Sequence, residues 1–194
     1  KSAALNAALV GVEGLAVFFD DDVRVEPATL AAYSRAFGGV ASGGERAYFG
    51  GDVQSEFETE PPTWLLPLLP ASVRGFSVRE AAGSGHALGA NWAAHVDDLR
   101  AAGGFDPNFG PGSPTRARGQ ETEMQGRLQA RGLSMVPVAD AVVHHGVPAD
   151  RCSSAWAVER SFSDGTSRGL RARQGAGPRL LRECGRELVR QSPR

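Results

Sequence analysis

Two cysteines in 194 residues, Cys152 and Cys184, are too few for a disulfide framework, and neither has the spacing of a metal knuckle. A reducing compartment is therefore expected, which reads as the cytoplasm. No apolar run approaches the roughly 20 residues of a membrane-spanning helix. The first residues, Lys1-Ser-Ala-Ala-Leu-Asn6, lack the apolar core of a secretory leader. Charge of one sign is also missing overall: the net value is −1, so bulk attraction to nucleic acid is not expected. Internal repeats and low-complexity segments are absent. What remains is a chain with 41% hydrophobic residues, enough for the packed core of one domain or of part of a larger one.

The most informative junction is Gly14-Leu-Ala-Val-Phe-Phe19 running directly into Asp20-Asp21-Asp22. Val17, Phe18 and Phe19 suit a strand covered on both faces. Three adjacent carboxylates repel one another, so a positive partner is expected at the strand's end. A divalent cation is the simplest, because Mg²⁺ and Mn²⁺ take hard oxygen ligands and share them with substrate phosphates. A solvated acidic turn is the alternative. Ligands of open α/β sheets gather at the carboxyl ends of strands, which is where this cluster falls.

The spacing of apolar residues predicts a helix over residues 2–12, a strand to Phe19, and a second helix opened by Pro27 and stopped at Gly38-Gly39. A strand is expected over 46–53, a proline-rich connection over 61–70, a strand or strand end over 87–93 and a short helix over 96–102. A long Gly/Pro-rich loop follows from Phe105 to Gln120, long enough to suggest a functional role. A helix over 121–131, a strand around 135–138 and the segment Ala141-Val-Val-His-His145 complete this part. Charge is uneven towards the end: Arg168, Arg171, Arg173, Arg179, Arg182, Arg186, Arg190 and Arg194 face only Glu183 and Glu187. Residues 178–191 read as a basic amphipathic helix, either a solvated cap or a surface resting on an anionic membrane. A helix that feeds the first strand also suggests that earlier strands of an α/β domain precede this sequence.

Taken in order, these segments resemble family 2 glycosyltransferases of the GT-A fold. Ser2-Ala-Ala-Leu-Asn-Ala-Ala8 is similar to the family's helix before its DxD strand, and Phe18-Phe-Asp-Asp-Asp-Val23 to the DxD motif itself. Gly89-Ala-Asn91 and Gly103-Gly-Phe-Asp-Pro-Asn-Phe-Gly110 are similar to the segment lining the donor and acceptor site. Gly119-Gln-Glu-Thr-Glu123 takes the place of Gly-Glu-Asp-x-Glu, and Ala141-Val-Val-His-His-Gly-Val-Pro148 with Arg151 resembles the late strand and histidine. The resemblance implies a mixed, mainly parallel sheet flanked by helices and lacking its N-terminal part. It places a partial GT-A catalytic domain at 1–165 and a basic helical tail at 166–194.

The implied activity is metal-dependent transfer of a sugar from a nucleotide-sugar donor to a hydroxyl acceptor with inversion; the acceptor is a glycan, a lipid-linked molecule or a small molecule. Matched by position, Asp20, Asp22 and His145 would hold the metal, and a histidine ligand favours Mn²⁺ over Mg²⁺. Asp20, Asp21, Gly89, Asn91, Asp106 and Arg151 would line the donor and acceptor sites. Glu121 would be the base, with Glu123 as alternate. A carboxylate in the first turn of a helix stays ionised, as a base must, although Glu in place of Asp shifts the oxygen by about an ångström.

Each role has a plainer counterpart. His145 would be a core histidine, Glu121 and Glu123 ordinary helix-start carboxylates, Asp106 part of a turn, and Arg151 and Arg160 surface ion pairs rather than diphosphate ligands. Trp64, Trp92 and Trp156 would be core aromatics rather than sugar platforms. A nucleotidyltransferase of related fold and a degenerate, non-catalytic sugar-binding domain are the competing functions. His144 is expected on the strand face opposite His145.

Overall fold

The computed structural model describes residues 1–173. In chain order its main elements are α1 (Ser2–Ala8), β1 (Leu15–Phe19), β2 (Val23–Val25), α2 (Thr29–Ser42), β3 (Ala47–Phe57), α3 (Ala71–Arg74) and α4 (Val78–Ala81). β4 (Asn91–His95), α5 (Val96–Ala101), α6 (Gln120–Ala130), β5 (Ser134–Val147) and α7 (Ser154–Arg173) follow. One five-stranded sheet runs in the order β1-β4-β3-β5-β2. The chain is thus mixed α/β.

The sheet departs from the mainly parallel one expected. Among the described residues only β3 and β5 pair as parallel strands, whereas β1–β4, β3–β4 and β2–β5 are antiparallel. β1 lies at the edge and pairs, among the described residues, with β4 alone. Its residues are consequently half-buried rather than sealed. The apolar run did report two covered faces, but no pattern of side chains reports whether the backbone of a strand has one neighbour or two.

Alternation along the strands sorts the core into two layers. Trp92 and Ala94 point to one face with Tyr48 and Phe18, where Leu99, Phe105, Met124 and Leu128 from α5, α6 and their loops cover them. Phe18 stacks on Trp92 with ring centroids 4.6 Å apart. Ala93, Phe49 and Val17 point to the other face, against Tyr33 and Val40 of α2. Val40 lies beyond the pair Gly38-Gly39 expected to stop α2. Burial of the next turn therefore outweighs the roughly 1 kcal/mol that each helical glycine costs, and the helix ends at Gly43.

The two strand segments expected at 135–145 are a single strand, β5, interrupted by an irregularity. Its partners on β3 jump from Gly51↔Val138 to Asp52↔Val142. Asn91 fills the gap: its Nδ2 donates to the carbonyls of Asp52 (2.9 Å) and Ala141 (2.8 Å), and its Oδ1 accepts from the Tyr33 hydroxyl at 2.9 Å. Gly51 is required there. A Cβ on it would stand 2.3 Å from the Ala141 carbonyl oxygen and 2.3 Å from Asn91 Nδ2. Gly51→Ala is expected to destabilise the fold by about 3 kcal/mol, the upper range for overpacking against backbone that cannot retreat, as a urea titration would measure. Beyond the irregularity β5 runs on to pair with β2, and that continuation builds the site.

The proline-rich connection holds a short 3₁₀ turn and packs Leu65, Leu69 and Val73 against Val147 and Ala157. Trp92 is core, Trp156 is partly buried, and Trp64 is 62% exposed. The boundary expected between residues 165 and 166 falls inside α7, and Ser167 beyond it is buried. The amphipathic segment 178–191 lies outside the described residues. Among the described residues no helix is long and apolar enough to cross a membrane.

Candidate functional site

β2 and β5 pair in the register Val23↔His145, so the residue before β2 and the second histidine of β5 are neighbours by construction. Gly146 N–H also bonds the Asp22 carbonyl at 3.2 Å. The side chains meet as well: His145 Nε2 is 3.3 Å from Asp22 Oδ2. Arg151, from the turn that follows β5, places Nη1 3.5 Å from the same oxygen. His144 points the other way, as the pleat requires, to Glu26 at 2.6 Å and Glu56 at 3.2 Å.

His145 is buried, and its Nδ1 finds no hydrogen-bond partner among the described residues. A buried imidazole with one nitrogen facing a carboxylate fits a metal ligand in part. Two ligands bonded to a cation at about 2.1 Å and at right angles lie about 3 Å apart, close to the observed His145–Asp22 spacing. Asp20 does not join them. Its carboxylate is paired with the Lys1 ammonium, and among the described residues no group of three acidic, histidine or cysteine side chains could hold a metal. The expected trio is thus a pair, Asp22 and His145. A cation held there would take its remaining ligands from substrate and water, and Arg151 would have to yield Asp22.

Glu121 occupies the first turn of α6, behind Gly119 in the left-handed conformation (φ 79°). Loss of hydration raises its carboxyl pKa above the ordinary range; Asp20 adds to the rise, while a backbone hydrogen bond, Lys1 and Arg171 oppose it. Of the three carboxylates of the acid cluster, Asp20 is the one whose charge acts on Glu121. Gly89 lies against this carboxylate: a Cβ there would be 2.7 Å from Glu121 Cδ and 2.8 Å from Cγ. Gly89→Ala is expected to keep the fold, because a side-chain tip can move, but to displace the carboxylate. Any reaction that needs it should slow by about 10²-fold, the scale of a 1 Å misplacement, with an unchanged melting temperature.

Other expected members are placed differently. Glu123, the alternate base, is held by both oxygens: Arg127 Nε and Nη2 each donate to it at 2.7 Å, and Arg127 continues to the Gly104 carbonyl. It is a strut between α6 and the loop after α5. Asn91 is fully buried with its amide occupied at the irregularity, so it shapes β5 instead of contacting a ligand. Asp106 accepts from Asn108 N–H (2.8 Å) and Nδ2 (2.9 Å), the turn that its sequence allowed. Asp21 is exposed in the turn between β1 and β2. Arg160 pairs with Asp164 at 3.2 Å.

No protein-family model matches the chain, and neither does any curated protein. The geometry therefore carries the case alone. A separate cleft of about 530 Å³, lined by Phe37, Arg46, His95 and Asp98 among others, lies away from this region, and its Arg46 and Asp98 already pair with each other.

Two contributors were missed in the sequence. Lys1 precedes the first helix and gave no signal of its own. Arg171 was counted with the basic tail, yet its Nη1 donates to the Arg118 carbonyl at 3.1 Å and would lie 2.8 Å from a Cβ on Gly119. Burial lowers the Arg171 pKa, and Glu121 counters this. The spacing Arg160, Asp164, Ser167, Arg171 marks one helical face and was the signal available.

Proposed function

We propose that the chain is the catalytic part of an inverting, metal-dependent glycosyltransferase similar to family 2 of the GT-A fold. In this reading the described sheet is one portion of a GT-A sheet whose parallel strands would add at the open edge of β1. The observation that supports it is convergence: Asp22, in the turn between β1 and β2, touches His145 of β5, while Gly89, before β4, lies against Glu121 of α6, and Asp20 of the same turn is among the charges that act on that carboxylate.

The roles follow from chemistry. Glu121, ionised, takes the proton of an acceptor hydroxyl as that oxygen attacks the anomeric carbon and the bond to the nucleoside diphosphate breaks. Asp22 and His145 would hold the divalent cation, Mn²⁺ by preference, and Arg151, freed from Asp22, would donate to a diphosphate oxygen. A cation bound there would offset charge on the departing diphosphate. Release of nucleoside diphosphate from a panel of sugar nucleotides with Mn²⁺ tests the proposal. Pyrophosphate release from a nucleoside triphosphate supplied with a sugar phosphate would instead mark a nucleotidyltransferase. Inactivity towards every donor would favour a non-catalytic binding domain, a reading motivated by the ion pairs Lys1–Asp20 and Arg151–Asp22.

A further inference from the structure

We infer that Gln125 is a positioning residue for the candidate base: its amide clamps the segment 85–89 along α6 and so sets Gly89 against the Glu121 carboxylate. The inference rests on the glycosyltransferase reading for the reaction served; the placement of the carboxylate stands without it.

Glu121, Gln125 and Gln129 recur every fourth residue and share one face of α6. The segment before β4 runs past that face in the opposite direction, two of its residues to each four of the helix. Gly89 lies at Glu121, Ala87 at Gln125 and Gly85 at Gln129. The steps match, since two extended residues and four helical ones each cover about 6 to 7 Å. At the far end Gln129 Nε2 donates to the Gly85 carbonyl and, at 2.7 Å, to the hydroxyl of Tyr48 on β3, which itself donates to Gly85. In the middle Ala87 N–H donates to Gln125 Oε1 at 2.9 Å, and both residues are buried. Gly50 lets Ala87 seat on β3, because a Cβ on Gly50 would stand 2.6 Å from that of Ala87. The last rung has no bond. Gly89 meets Glu121 without a hydrogen bond among the described residues, so its place there is inherited from the rung two residues earlier.

The chemistry of Gln125 favours this role over one in packing. Its Nε2 is buried with no hydrogen-bond partner among the described residues. Burying an unpaired amide nitrogen costs free energy that a thioether of similar length does not, so packing alone would favour methionine. What glutamine adds is the acceptor for Ala87. Dehydration is the largest cause of the raised Glu121 pKa, and Gly89 covers that carboxylate. The charges that act on it, Lys1, Asp20 and Arg171, come from other parts of the chain. Releasing the middle rung therefore rehydrates Glu121 and leaves its charged neighbours in place.

NMR titration of the Glu121 carboxyl carbon, its signal assigned by its absence from Glu121→Gln, tests the placement without any donor. In Gln125→Met the pKa should fall from its raised value towards that of an ordinary carboxylate. In Gln129→Met, which cuts the rung farthest from Gly89, it should stay. An unmoved titration in Gln125→Met, or an equal move in both variants, overturns the inference. Transfer is the second readout. Gln125→Met should lose about tenfold in kcat with KM for the donor unchanged, less than the roughly hundredfold cost of a full ångström's misplacement. A native kcat in Gln125→Met, or an equal loss in Gln129→Met, overturns the inference too. A titration that moves in Gln125→Met alone, in a chain that transfers sugar from no donor, would keep the placement and remove the glycosyltransferase.

Discussion

Glu121→Gln is expected to bind a sugar nucleotide as the native chain does and to transfer its sugar 10²- to 10⁴-fold more slowly, roughly the contribution of a positioned general base. The amide keeps shape and hydrogen bonding but cannot accept the proton. Because dehydration raises the Glu121 pKa, the native rate should fall on the acid side at a pH above that of an ordinary carboxylate, and this limb should vanish in the variant. Stability carries a second signature of opposite sign. A carboxyl whose folded pKa exceeds its unfolded value favours the folded state most below the unfolded pKa, and that contribution is lost as pH rises through the folded one. Glutamine does not titrate. The variant should therefore gain melting temperature relative to the native chain as pH climbs across that window. Unchanged turnover would remove Glu121 from the role, and an advantage that grew on acidification instead would contradict the raised pKa.

The same region shows which features could be read from sequence and which could not. β1, α5, the loop from Phe105 and α6 were legible to within a residue or two because each is a local matter: an apolar run, a helical period, a cluster of glycines. The opposite orientations of His144 and His145 were legible for the same reason, since alternation is a property of any strand. Strand direction was not. A mainly parallel sheet was expected from resemblance, whereas hydrogen-bond partners are set by contacts between segments tens of residues apart. The function of Asn91 was hidden in the same way. Only the meeting of β3, β4 and β5 shows that its amide replaces missing ladder bonds and so lets β5 extend to carry His145 to Asp22. Glu123 was ambiguous by nature, because a carboxylate four residues before Arg127 on a helix is both a base by analogy and an ion pair by spacing.

Asp22→Ala tests the other half of the site, and its effect should be the largest on binding. Asp22 is the single carboxylate in contact with His145 among the described residues, and it also neutralises Arg151. If the proposed cation sits there, removing Asp22 deletes its anionic ligand and leaves His145 too weak a site for a hard cation on its own. Affinity for a nucleotide sugar in the presence of Mn²⁺ should fall by about a hundredfold, equivalent to about 2.7 kcal/mol, and should no longer respond to chelation. Arg151 supplies the control. Without its partner it becomes free to meet phosphate directly, so the binding that remains should be insensitive to Mn²⁺ and should weaken steeply with added salt. The fold should tolerate the change, because Asp22 is exposed and its backbone carbonyl keeps its bond from Gly146 N–H when the side chain is removed. If Asp22→Ala kept the native manganese dependence, the cation would have to lie elsewhere, and the contact between Asp22 and His145 would be a structural hydrogen bond.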